Sequence, residues 1–309
     1  MNATRILRVT AGYLWRLPLC ALAYVVGAGA GGALISALGM PLPEIPEQAD
    51  EQTMGLLLWV ASLALAGGLV PLARRIQGPP WVRWLILAML CYVCLGLALP
   101  LEGAIFTSLR GMALIPVFSI LPCLLFAAVV ALLFQPIDRN DPPVMDVRRF
   151  FRGRSTGNWV WHFVAALCAF PVIYWTFGMM VAPFVMEYYQ QGQFALTVPR
   201  PGVIVLTQFV RSALFLVASL PILMTWSGSR RQLVLALGLA FYVLVGLFGM
   251  MQSYWLAPTL QVLHNTEMLI DSMVYALALA VLLGRRDEAN ADELFTRFLL
   301  CMEQTPVGN

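Results

Sequence analysis

Long apolar runs separated by short polar clusters fill the chain from end to end. Eight of these runs are long enough to cross roughly 30 Å of hydrocarbon: 13–38, 54–73, 84–105, 112–134, 159–185, 203–225, 232–255 and 262–284. The pattern predicts an all-α, polytopic integral membrane protein with eight transmembrane helices.

The polar clusters between the runs alternate in charge. Arg5 and Arg8, then Arg74, Arg75 and Arg83, the 136–157 loop, Arg230 and Arg231, and finally Arg285, Arg286 and Arg297 make every second connection basic. The intervening loops carry Glu44, Glu47, Asp50, Glu51 and Glu187. Only Arg110, Arg200 and Arg211 fall on the acidic side. The positive-inside rule then expects both termini in the cytoplasm, in the inner membrane of a bacterial cell. The first run has a basic flank and small residues near Ala28, as a signal peptide would. It is too long for a signal h-region and is expected to stay as a membrane anchor.

Composition sharpens the picture. The 309 residues are 60% hydrophobic and 11% charged, against about 25% charged in soluble domains. A water-soluble enzyme, a disordered chain and a nucleic-acid-binding module are thereby excluded, so the bilayer is the expected surrounding and nucleic acid is not an expected partner. The basic residues are all Arg, which removes chemistry that depends on lysine. The six Cys lie mostly inside apolar runs, and Cys91-x-x-Cys94 reads as packing rather than as a redox or zinc pair. Gly27-Ala28-Gly29-Ala30-Gly31-Gly32 spells a dinucleotide fingerprint without the strand it requires. Gly27 and Gly31 instead offer a small face on which another helix can pack closely.

A shift of 150 residues aligns the third and fourth runs with the seventh and eighth. Leu85, Leu87, Tyr92, Val93, Gly96 and Leu97 fall on Leu235, Leu237, Tyr242, Val243, Gly246 and Leu247. Trp15-Arg16 resembles Trp161-His162, and Val60-Ala61-Ser62-Leu63 resembles Val217-Ala218-Ser219-Leu220. The expectation is a parallel 4+4 repeat, since an even number of spans keeps both halves in one orientation. Residues 1–135 and 159–284 would be the two four-helix units, 136–158 an Arg- and Pro-rich cytoplasmic linker, and 285–309 an amphipathic cytoplasmic tail. The linker arginines Arg148, Arg149, Arg152 and Arg154 suit topology control and anionic headgroups. The tail is expected to lie on the membrane surface or to dock a protein partner.

The halves differ where chemistry is concerned. His264, Glu267 and Asp271 are spaced i, i+3 and i+7, which puts them on one helix face. Their counterparts under the shift are Leu114, Val117 and Leu121. At about 1.5 Å per residue, Asp271 would lie roughly 13 Å into its span and Arg211 roughly 12 Å into its own. An intramembrane pair of Arg211 with this acidic cluster is therefore expected in the outer half of the membrane. Glu102 and its repeat mate Gln252 fall near the same level. Glu102, Arg211, Gln252, His264, Glu267 and Asp271 are the candidate substrate- or ion-binding residues, with Ser253, Tyr254, Asn265 and Thr266 as a polar rim.

One Arg neutralises one carboxylate, and a surplus carboxylate in low dielectric binds a proton or a cation. No cofactor, resident metal or catalytic residue is expected, because a zinc set would have to come from His264, Glu267 and Asp271 on one helix. Arg16 and His162, each beside a Trp, read as snorkelling interface residues. The expected function is that of a transporter or permease-like protein with an acidic pocket for a small molecule or cation. A non-catalytic membrane subunit or assembly factor is the alternative, and an intramembrane enzyme acting on lipid or peptide is the third reading.

Overall fold

The structure, a computed structural model, describes residues 3–42, 44, 46, 48–137, 147–152 and 154–284. The expected tail 285–309 and most of the linker lie outside the described residues. Eight helices are long and apolar enough to span a membrane: α1 (Gly12–Ala37), α2 (Glu51–Ala73), α3 (Pro80–Phe106), α4 (Met112–Leu133), α5 (Thr156–Gln190), α6 (Pro201–Thr225), α7 (Arg230–Gln252) and α8 (Pro258–Leu282). No strand forms among the described residues, where two isolated bridges are the whole of the β pairing. The chain is therefore a helical, multi-pass membrane protein.

Local chemistry sets the helix starts. Asp50 caps α2, its Oδ2 accepting the Thr53 N–H at 2.8 Å. Ser155 caps α5, and Ser229 with Gln232 makes a reciprocal capping box on α7. Proline opens α3, α6 and α8, where its missing N–H has no intrahelical partner to lose. The spans begin and end slightly away from their sequence positions. The largest departures are α5, which begins inside the expected linker and runs to Gln190, and α3 and α8, which begin at Pro80 rather than Trp84 and at Pro258 rather than Val262.

Helix ends are closed by arginines, one buried and one half-buried. Arg83 is fully buried, with Nη2 donating to the Phe134 and Ala73 carbonyls and Nη1 to Gln135 Oε1. One cation thus satisfies the open carbonyls at the ends of both α2 and α4. Arg154 does the same for α8 through the Leu282 and Gly284 carbonyls, its guanidinium lying 4.8 Å from the Trp159 ring centre.

The packing pattern has two matching parts. In the first, α1 packs on α2 and α4, and α3 on α4; in the second, α5 packs on α6 and α8, and α7 on α8. Across the middle, α2 lies on α7, α3 on α6, and α3 on α7. Both α3 and α7 contain a π-helical stretch, Tyr92–Ala98 and Tyr242–Leu247. Each stretch holds a glycine against its own tyrosine ring: a Cβ on Gly96 would come 2.9 Å from the Tyr92 ring, and one on Gly246 3.1 Å from that of Tyr242. The connections α2–α3 and α6–α7 pair directly. Ile76 bridges Trp226, the Gln77 N–H donates to the Thr225 carbonyl at 3.0 Å, and the Ser227 N–H donates to the Arg75 carbonyl at 3.1 Å.

One contact is not matched between the parts. Backbone meets backbone where α1 crosses α4, because a Cβ on Gly27 would fall 2.4 Å from Pro122 Cα and one on Gly31 2.4 Å from the Phe118 carbonyl oxygen. If Trp15 is set on Trp161, the same positions of α5 are Ile173 and Phe177. Side chains of that size hold helices apart.

Candidate functional site

A cavity of about 570 Å³ opens where the second part stays apart. It is enclosed by α3, α5, α6, α7 and α8, and its wall is mostly apolar. Glu102, Arg211, Gln252, His264, Glu267 and Asp271 all line it. The helices thus bring together, from α3, α6, α7 and α8, the six residues singled out from sequence. Of the expected rim, Ser253 lines the cavity, whereas Asn265 is turned to the Gln261 carbonyl, Thr266 to that of Val262, and Tyr254 to Asp50.

The ion pairing differs from expectation. Arg211 pairs with Glu102, Nη2 to Oε2 at 2.7 Å, and not with Asp271. Its Nη1 donates to Gln208 Oε1 at 2.9 Å, and its guanidinium carbon lies 5.4 Å and 5.6 Å from the ring centres of Phe170 and Phe215. The reason is depth. With α8 starting at Pro258, Asp271 lies about 20 Å along a helix about 37 Å long, near mid-span rather than in the outer half. Arg211 lies about 15 Å into α6, closer to the end where Glu102 sits.

Glu267 has a different partner. His264 Nδ1 lies 2.9 Å from Glu267 Oε2, and Nε2 lies 3.1 Å from the Tyr189 hydroxyl. A neutral imidazole satisfies both contacts, with Nδ1–H donating to the carboxylate and Nε2 accepting from the phenol. Tyr189 comes from α5 and stacks edge-on to Phe106 of α3. A Cβ on Gly178 would meet Glu267 Oε1 at 3.2 Å, so α5 passes close over this carboxylate.

Asp271 stands apart from these pairs. It is 6% exposed, and its Oδ1 is buried with no hydrogen-bond partner. The Gln252 side-chain amide nitrogen is likewise buried without an acceptor. Arg211 Nε is a further buried donor without an acceptor. Buried polar groups are normally satisfied, so one free carboxylate oxygen and two free donors on residues of one cavity wall stand out. Formal charge points the same way: of four carboxylates on the wall, Glu44 accepts the Arg110 N–H at 2.9 Å, and Glu102, Glu267 and Asp271 share the single guanidinium of Arg211.

Sequence reasoning missed Tyr189, Gln208 and the aromatic faces of Phe170 and Phe215. Gln208 sits three residues before Arg211 on the same face, and that spacing was available as a signal. Tyr189 and Phe170 reach the site only through the way α5 packs on α8, which no local pattern records.

Outside the cavity, Cys91 and Cys94 are fully buried free thiols in α3, each packed in the apolar core. Arg16 lies 5.3 Å from the Trp15 ring centre, and His162 Nδ1 lies 2.7 Å from the Asn158 carbonyl oxygen. The structure therefore defines a class: a helical multi-pass membrane protein with an acid-rich cavity inside the bundle. Comparison with protein-family models, curated proteins and solved structures gave no match to the chain.

Proposed function

We propose that the protein is a transporter or permease-like membrane protein whose cavity binds a proton or cation at Glu267 and Asp271. The observation that carries this reading is the surplus of carboxylates over cations around one cavity, with Asp271 Oδ1 free. Ionisable groups within a membrane span are costly and mark ion and substrate pathways. The test is coupled uptake or efflux in reconstituted vesicles. Asp271→Asn and Glu267→Gln lose it while remaining in the membrane at normal amounts; full transport by both variants overturns the reading.

The reading includes two parallel four-span units, 1–135 and 159–284, joined by 136–158. The matched packing, the two π-helical stretches and the 76–226 pairing support such a repeat, with a register of 150 residues for α2, α3 and α4 on α6, α7 and α8. That register sets Pro71 on Pro221 and Ser62 on Ser212, in place of the Val60–Val217 matching. The alternation of Arg-rich and acidic loops supports cytoplasmic termini in a bacterial inner membrane, with the cavity toward the far side. Single cysteines at Ser108 and Gly192 then react with an impermeant maleimide added to whole cells; reaction only after lysis reverses the orientation.

One observation favours an enzyme instead. Tyr189, His264 and Glu267 form a hydroxyl–imidazole–carboxylate chain of the kind used in general acid–base chemistry. Turnover of a lipid or peptide by the purified protein, lost in Tyr189→Phe, replaces the transport reading.

A further inference from the structure

We infer that the cavity receives an amphipathic organic cation, its charged group at Asp271 and its apolar body along α3 and α5. The inference rests on the proposed binding role of the cavity and names its ligand class. Size comes first: about 570 Å³ lies in the range that encloses a small organic molecule and far exceeds a bare ion. The wall comes second. Leu99 and Phe106 of α3, Trp175, Met179 and Val185 of α5 and Phe248 of α7 line it, a surface for hydrocarbon rather than for a hydrated ion. Met179 lines the cavity, is 62% exposed and sits about two-thirds of the way along α5, so the cavity wall reaches the outer surface of the bundle within the span, where a lipophilic cation is concentrated.

Charge then selects among ligands of this size. An anion would need Arg211, whose guanidinium is already paired with Glu102 and flanked by Phe170 and Phe215. A hard metal ion needs about six or more oxygen ligands. Here Glu102 is engaged by Arg211 and Glu267 by His264, and no group of three His, Cys, Asp or Glu is placed to hold a metal among the described residues. A single free carboxylate oxygen suits one ammonium-type charge. Aromatic faces stand beside it: Tyr275 follows Asp271 by one turn of α8 and packs 5.2 Å from Phe170, centre to centre. Phe170 already holds the Arg211 guanidinium, which is the cation–π chemistry an organic cation uses. The free Gln252 amide adds a donor for a hydroxyl or carbonyl on the ligand.

The test is equilibrium dialysis of radiolabelled tetraphenylphosphonium against the full chain in detergent micelles, with protein-free micelles as the blank. Saturable binding is expected, displaced by dodecyltrimethylammonium and not by dodecanol. Asp271→Asn weakens it by roughly tenfold or more. Ala182→Trp fills the cavity without touching a charge and also abolishes binding, so the test survives if the Asp271 variant fails to fold. No saturable binding to the wild-type chain, or wild-type binding by both variants, overturns the inference. Asp271-dependent movement of protons or alkali cations without tetraphenylphosphonium binding overturns the ligand class and leaves transport standing. Binding without any transport spares the ligand class and removes the transport reading.

Discussion

Arg211 and Glu102 are joined across the middle of the molecule, Nη2 to Oε2 at 2.7 Å, one from α6 and the other from α3. The pair ties the two parts of the bundle together at the cavity wall. It also removes the cavity's guanidinium from the two acids of α8.

Breaking that pair on one side leaves a buried charge without a partner. Arg211→Met is expected to destabilise the protein by about 3–5 kcal/mol. Glu102→Gln added to it recovers most of the loss. Thermal unfolding of the single and double variants in detergent measures both, and equal loss in the double variant refutes the coupling.

The crossing of α1 on α4 admits no side chain at two positions. Gly27→Val and Gly31→Val push a Cβ into the Pro122 and Phe118 backbone, and each is expected to cost about 1–3 kcal/mol or more as the helices separate. Gly29 has nothing within 4 Å of a Cβ position, so Gly29→Ala is neutral or slightly stabilising. Unfolding midpoints of the three variants separate the contact from helix propensity.

The segment leading into α6 carries two left-handed residues that are not glycine, Phe194 at φ 55° and Ala195 at φ 60°. The conformation costs a non-glycine residue roughly 1–2 kcal/mol. Ala195→Gly relieves it at some cost in chain entropy and is expected to stabilise by about 0.5–1 kcal/mol. A lower midpoint than wild type would contradict the strain.

Asp50 lies outside the spans, and the Thr53 hydroxyl and N–H hold its carboxyl below the ordinary carboxylate range. A carboxyl lowered on folding lends stability above its unfolded value, near pH 4, and loses it as pH falls through the folded value. Asp50→Asn keeps the cap and is expected to flatten the stability profile below about pH 4. Asp50→Ala loses the cap at every pH. Stability of the three proteins from pH 3 to 7, roughly spanning that value, decides.

The spans were legible because lipid demands long apolar helices, and hydropathy records that demand directly. The face shared by His264, Glu267 and Asp271 was legible for a similar reason, since helical spacing alone sets it. Pairing was not. Whether Arg211 meets Asp271 or Glu102 turns on where α8 begins, and the Pro258 start moved Asp271 a full turn deeper. The Tyr189 contact to His264 depends on the long α5, whose last turn was hidden because Glu187 and Gln190 read as loop. The cavity itself is written in no single segment: α3, α5, α6, α7 and α8 wall it together, on the side where α5 carries Ile173 and Phe177 at the positions of the close-packed glycines of α1.

That last contrast has a consequence for stoichiometry. Under the proposed repeat, the α1–α4 crossing is the counterpart of the α5–α8 wall, and Gly27 and Gly31 let it collapse until Pro122 and Phe118 fill the space. A chain built from two similar halves would otherwise offer two chambers and bind two ligands. Under the proposed reading one ligand is expected per chain, and that number traces to two residues outside the cavity wall.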